Sequence, residues 1–245
     1  MPAPVLHQAL VEDLGRAIVE GDLPTGTAVI LDDIMERYCA SRNVAREAVR
    51  VLETLGMVAM KRRIGNVVLP RSNWRVMDPR VIRWRVSGRH RQVELDHLMQ
   101  LRAGIEPIAA RLAASTPGAA LLGPRLEELA ASMSQLGSVG LGVSAKFLAA
   151  DIEFHRLLVT SSGNDHITAF SDTLEVVLIE RNRLGLLGDY PDPRAMHAHQ
   201  VIARAVSQQS PEGAERATRD LVDVVHREVL SPAGALPNSL LVGTF

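Results

Sequence analysis

With 245 residues, 47% of them hydrophobic and only 3% aromatic, the chain has room for two cores built of Leu, Val, Ile and Ala, a composition that favours helix over sheet. No apolar run approaches the roughly 18 residues of a membrane span, no signal-peptide pattern is present, and Cys39 is alone, so a membrane partner, an internal disulfide and a thiolate metal cluster are excluded and the cytoplasm is the expected compartment. The net charge of −1 hides 15 basic and 10 acidic residues in positions 1–91 against 12 and 18 in the rest, an asymmetry that suits a nucleic-acid-binding module joined to something else.

Leu6, Leu10, Leu14 and Ile18 recur every four residues and predict an amphipathic helix over Val5 to Glu20, ended by Gly21 and the Leu23-Pro24-Thr25-Gly26 turn. A short extended piece, Val29 to Leu31, leads to Asp32 and Asp33, either of which can cap a second helix running to about Tyr38. After the tight turn Cys39-Ala40-Ser41, Ser41 is placed to cap a third helix, Arg42 to Leu55. Its apolar arc holds Val44, Ala45, Ala48, Val49, Val51, Leu52 and Leu55, and the opposite arc holds Arg42, Asn43, Arg46, Glu47, Arg50 and Glu53. Gly56 fits the left-handed position that closes such a helix. Two strands, Met57 to Lys61 and Asn66 to Leu69, flank the turn Arg62-Arg63-Ile64-Gly65. Three helices followed by a hairpin is the order of a winged helix-turn-helix, assigned to residues 1–70, and residues 71–92, with Asp78-Pro79, Gly88, Trp74 and Trp84, read as a linker.

From Val93 every segment reads as helix, over about 93–115, 124–136, 143–161, 164–186, 193–209 and 211–230. Glycine and proline punctuate the breaks between them. Residues 231–245, with two prolines and two glycines, are expected to form a loose tail. The fold class is therefore mainly α: an N-terminal winged helix-turn-helix joined to an antiparallel all-helical bundle at 93–230.

Arg42, Arg46 and Arg50 stand at i, i+4 and i+8, so three guanidinium groups share one ridge, with Asn43 beside them at the helix N-terminus. Arg can read guanine and Asn adenine at base edges, and Arg62, Arg63 and Gly65 allow the hairpin to approach phosphates or the minor groove. A bare arginine ridge is more often a solvated face. The ridge together with the Ser41 cap, Gly56 and a basic hairpin reverses that preference. The stretches Gly21-Asp22-Leu23-Pro24-Thr25-Gly26, Ser41-Arg42-Asn43-Val44-Ala45-Arg46-Glu47-Ala48-Val49, Leu55-Gly56-Met57-Val58 and Gly65-Asn66-Val67-Val68 resemble the DNA-binding domain of GntR-superfamily regulators. Asn43 and Ala45 stand where that family commonly has threonine and proline or valine.

Residues 93–230 resemble the effector domain of the FadR subfamily, the FCD type. The resemblance rests on Leu101-Arg102-Ala103-Gly104-Ile105-Glu106-Pro107, Asp151-Ile152-Glu153-Phe154-His155, Ser161-Ser162-Gly163-Asn164 and His199-Gln200-Val201-Ile202. Asp151 and His155 share one helix face and can contribute to a divalent metal site if other helices add ligands, although the pair by itself is more often a simple ion pair. The resemblance implies His199 as third ligand and a histidine on the last helix as fourth, where this chain has Leu221. His226 and His197 do not obviously replace it, so a zinc, nickel or manganese ion would need a water or an effector oxygen. The resemblance also implies that Arg102 faces the pocket, with an ion pair to Glu106 as the competing role. Of the cluster Arg181, Asn182 and Arg183, one arginine is expected to face the pocket, and Arg181 is selected as the effector-binding candidate. The stretch Asn73 to Trp84 is similar to the linker of regulators of galactonate and related aldonate operons, although two tryptophans would also pack a domain interface.

The expected function is a homodimeric, DNA-binding transcriptional repressor whose operator affinity is set by a small organic acid, an aldonate by the linker resemblance. Ser41, Arg42, Asn43, Arg46, Arg50, Arg62, Arg63 and Gly65 serve DNA; Arg102, Asp151, His155, His199 and Arg181 serve the effector; Asp151, His155 and His199 serve a metal. The rivals are a metal-dependent enzyme acting on a small acid at Asp151, His155 and His199, and an architectural DNA binder without a ligand.

Overall fold

The structure, a computed structural model, describes residues 3–230, so the expected tail at 231–245 lies outside the described residues. The chain divides into two compact units between Glu94 and Leu95.

In the first unit the order is α1 (Ala3–Glu20), β1 (Ala28–Val29), α2 (Leu31–Tyr38), α3 (Arg42–Thr54), β2 (Val58–Lys61), β3 (Gly65–Val68), a 3-10 turn (Arg71–Asn73) and α4 (Pro79–Ser87). The three strands form one antiparallel sheet in the order β1-β3-β2, with Met60 opposite Asn66 and Ala28 opposite Val67. Leu10, Leu14 and Ile18 of α1 meet Ala48, Val49 and Leu52 of α3 in a single core that the sheet closes. Burying one such Leu or Ile side chain contributes about 1.5–3 kcal/mol, so this interface carries much of the unit's stability.

The extended piece ends sooner than the sequence suggests: Leu31 already opens α2, and Ile30 is its N-cap. Asp32 and Asp33 therefore sit in the first turn, where carboxylates favour the positive helix end, rather than acting as the cap. Ser41 does cap α3, accepting from the Val44 N–H at 3.4 Å. Gly56 has φ +70°, and Met57 N–H donates to the Leu52 carbonyl at 3.0 Å, a closure that satisfies the helix's last carbonyls. A Cβ at Gly56 would lie 2.1 Å from the Asn73 carbonyl oxygen, so this position excludes any side chain twice over. The stretch read as a linker carries α4, capped by Asp78 and started by Pro79. Trp84 of α4 is buried against Gly15 of α1, and its indole N–H donates to Glu12 at 2.6 Å.

The second unit holds most of α5 (Arg91–Ser115) and all of α6 (Ala119–Ser138), α7 (Ala145–Thr160), α8 (Asp165–Thr168), α9 (Ser171–Arg183), α10 (Pro193–Ser207) and α11 (Pro211–Leu230). Helix α10 packs on α6 and α11, and α7 packs on α6 and α9. The single helix expected over 164–186 is two. Asn164 caps the one-turn α8, and the chain restarts after Phe170, whose buried ring anchors the joint. Helix α6 begins at Ala119, before Pro124, because Gly123 lies against Ser207 of α10 and holds that extra turn to the bundle.

Candidate functional site

Two constellations stand out, one in each unit. On α3, Arg42, Asn43, Arg46 and Arg50 are all exposed on the face opposite the core. Their present partners are local: Arg42 to Asp32 at 2.7 Å, Arg46 to Asn43 at 3.1 Å and Arg50 to Glu47 at 3.0 Å. Such exposed pairs are worth about 0–1 kcal/mol, so an incoming phosphate or base edge can displace them cheaply. Lys61, Arg62 and Arg63 are exposed around the hairpin tip, which turns through an Ile64 N–H to Lys61 carbonyl bond of 3.1 Å. Arg63 at φ +67° and Gly65 at φ +93° take the left-handed conformations that this turn needs.

The second constellation lies inside the helical unit. Helix α7 sets Asp151 and His155 one turn apart, α10 supplies His199, and all three are buried. The Nε2 atoms of His155 and His199 each lie 3.5 Å from Asp151 Oδ1, and the ligand-type atoms of the three residues fall within 4.8 Å of one another. Phe154 packs edge-on against both imidazoles and fixes their spacing.

Each imidazole is anchored through its other nitrogen. His199 Nδ1 is 2.7 Å from the Ala195 carbonyl, which assigns the proton to Nδ1 and leaves a lone pair on Nε2. That Nε2 is buried without a hydrogen-bond partner among the described residues, and it lies 3.5 Å from a carboxylate oxygen of Asp151. A lone pair facing an anionic oxygen is an electrostatic mismatch that a cation between them would relieve. His155 Nδ1 lies 2.7 Å from Glu106 Oε2, an ion-pair contact out of line for a hydrogen bond. Carboxylate- and carbonyl-backed imidazoles of this kind are the usual supports of metal ligands. The residues present thus fit a divalent ion with two nitrogen donors and one oxygen donor.

The charges around the cluster are balanced. Burial acts to raise Glu106, but Arg102 and His155 outweigh it and hold the carboxyl at about 2. Burial likewise opposes ionisation of Asp151, yet the His155 and His199 rings beside it and the Arg181 charge keep it well below the usual carboxylate range. Burial lowers His199, whereas Glu106 and Asp151 overcome the same penalty at His155 and raise it.

Arg102 is buried and pairs with Glu106 at 2.5 Å, so the competing role weighed for it is realised at the edge of the cluster. Arg181 and not Arg183 faces the cluster: it donates to Asp151 Oδ2 at 3.1 Å and keeps its Nε buried without a hydrogen-bond partner among the described residues. Arg183 is half-exposed and pairs with Glu180 at 2.6 Å. Leu221 is fully buried and supplies no ligand; His226 is held by Asp96 at 2.8 Å, and His197 is exposed. Glu106 is the residue that sequence reasoning under-read. Its spacing from Arg102 was visible, but its approach to His155 depends on how α5 and α7 are placed.

Residues 6–68 match the gntR family of bacterial regulatory proteins, and residues 97–224 match the FCD domain. The chain belongs to the gntR family and carries an FCD domain. An Escherichia coli (strain K12) protein named as an uncharacterized HTH-type transcriptional regulator, YieP, is 31% identical over 173 residues, covering 70% of this chain and 74% of that one. The galactonate operon transcriptional repressor of the same organism is 25% identical over 217 residues, covering 87% and 92%. The solved structure of Lar, described as controlling expression of the Listeria monocytogenes agr system, shares the fold at a TM-score of 0.51 and 12% identity, with 94% and 96% covered. This gntR-family member is accordingly a transcriptional regulator and not an enzyme, which sets aside catalysis at Asp151, His155 and His199. No helix among the described residues is long and apolar enough to cross a membrane.

Proposed function

We propose that the chain is a homodimeric repressor of a sugar-acid operon, released from its operator by a small polyhydroxy acid of the aldonate class. The observation that carries the effector half of this reading is the convergence of Asp151, His155 and His199 on one buried point beside Arg181. An acid's carboxylate would take the unpartnered Nε of Arg181, with Arg102 held ready by Glu106. Asp151, His155 and His199 would hold a divalent zinc, nickel or manganese ion. When bound, that ion supplies a positive centre for the acid's carboxylate and hydroxyl oxygens, and a water or the acid fills the position that Leu221 leaves without a ligand. The name of the relative that represses a galactonate operon favours this substrate class.

On the DNA side, residues 1–70 form the reading module, residues 71–92 connect it, and residues 93–230 bind effector and partner. Ser41, Arg42, Asn43 and Arg46 open onto the major groove, Arg50 onto phosphate, and Arg62, Arg63 and Gly65 bring the hairpin to the backbone. The acid shifts the equilibrium only by its differential affinity for the operator-competent arrangement and its alternative.

Fluorescence anisotropy with the chain's own upstream DNA, titrated with an aldonate panel at fixed salt, tests the reading. Tight binding relieved by one acid is expected. DNA binding that no acid changes would remove the effector half, and no binding at low salt with any acid present would remove the whole.

A further inference from the structure

We infer that residues 231–245 fold back along α11 and fill the groove between α10 and α11, bracing the helix that carries His199. The groove holds about 610 Å³, within the roughly 300–1,000 Å³ of sites that enclose a drug-sized ligand. Ala198 and Val201 of α10, three residues apart, and Ala217 and Val224 of α11, seven apart, form its apolar floor. Two of those four are alanine, and side chains that short leave the space between the helices unfilled. The charged side chains stand on the rim and are engaged there. Arg194 is held by Asp192 at 2.5 Å, and Arg227 Nε donates to the Asp223 carbonyl at 3.0 Å. A rim whose cations are tied up locally suits an uncharged, apolar occupant better than a free acid.

Such an occupant follows in the chain. Residues 231–245 include Leu236, Leu240, Leu241, Val242 and Phe245 and no charged side chain, although 22% of the whole sequence is charged. A segment that stays in water ordinarily has the opposite composition, charged and poor in large apolar groups. It also starts at the mouth of the groove. Helix α11 ends at Leu230, three residues after Arg227 of the rim, and Glu228 takes a backbone hydrogen bond from Asp192, the cap of α10. From Arg227 back to Ala217 is about 15 Å along the helix, a distance that about five extended residues span. Pro232 and Gly234 are residue types that reverse a chain, which leaves Leu236 to Phe245 to cover the floor. The match to the FCD domain ends at residue 224, so the segment lies outside it.

Thiol shielding in the full chain tests this. In a Cys39→Ser background, Val201→Cys sets a single thiol on the groove floor. Adding Leu240→Asp and Leu241→Asp is expected to speed its reaction with a maleimide by at least about tenfold, because a segment carrying two charges no longer stays in an apolar groove. Leu121→Cys, 86% exposed on α6, should react at one rate with or without the aspartates. Hydrogen exchange on the chain with its natural Cys39 and Val201 gives a second reading, which holds even if Val201→Cys does not fold. The two aspartates are expected to speed exchange over residues 193–201 and 217–227 and to leave α1 unchanged. Equal thiol rates together with equal exchange would overturn the inference. A thiol that the aspartates do not expose but that dilution of the protein does would assign the groove to a second copy and overturn it as well.

Discussion

Arg46 and His199 show how differently residues of the two candidate sites are placed. Arg46 is exposed and bonded locally, to Asn43 at 3.1 Å, so its removal is expected to leave the fold intact. Arg46→Ala is expected to weaken operator binding by about 10- to 100-fold for each protomer bound, the range of one base or phosphate contact, with an unchanged melting temperature. Calorimetry paired with the DNA titration checks both halves. His199 is the reverse case, a buried ring whose Nε2 has no hydrogen-bond partner among the described residues. His199→Ala is expected to abolish the rise in melting temperature that zinc or nickel gives the wild type, because the ion stabilises only the folded chain that binds it. An equal rise in both proteins would show that the ion binds elsewhere. Arg181 could not be told from Arg183 by spacing alone, because its partner Asp151 comes from the bundle's packing, whereas the Arg102–Glu106 pair lies four residues apart on α5 and was legible.

At the scale of elements, caps and glycines set where helices begin and end. Gly56 combines φ +70° with a backbone oxygen 2.1 Å from any added Cβ. Gly56→Ala is expected to cost about 1–3 kcal/mol or more, read as a lower denaturation midpoint, since both the strain and the clash act together. Asp78 caps α4 through the Arg80 N–H at 3.0 Å. Asp78→Ala is expected to cost about 1 kcal/mol near neutral pH. Burial would raise the Asp78 carboxyl, but Arg80 outweighs it and the folded value lies below the ordinary 3.8. Its contribution is therefore present above about pH 4 and lost as the pH falls through the folded value, so wild type and variant converge in acid. A gap that stays constant to pH 2 would mean the cap acts without its charge. Most of these elements were legible because their signals are local: the four-residue apolar repeat of α1, the Ser41 cap, Gly56. The break between α8 and α9 was not, because the burial of Phe170 is a tertiary event.

For the whole molecule, operator affinity should fall steeply with salt, since each neutralised phosphate contributes about −0.9 to the slope of log K against log salt. Arg62→Gln, present in both protomers of a dimer, is expected to make that slope shallower by about 2. An unchanged slope would take the hairpin off the phosphate backbone. The family resemblance, the helical class, the third helix with its exposed arginine ridge, and the candidacy of Asp151, His155 and His199 were all legible in the sequence, because each depends on local periodicity, capping or motif spacing. Only the tertiary structure decided that Arg181 rather than Arg183 joins that cluster, that Glu106 backs His155, and that the stretch before α5 holds a helix with a buried tryptophan. Those facts follow from which helix lies beside which. In an aromatic-poor bundle of Leu, Val and Ala, many helix placements bury the same apolar area, and the side chains that reach one buried point emerge only from the packing that wins.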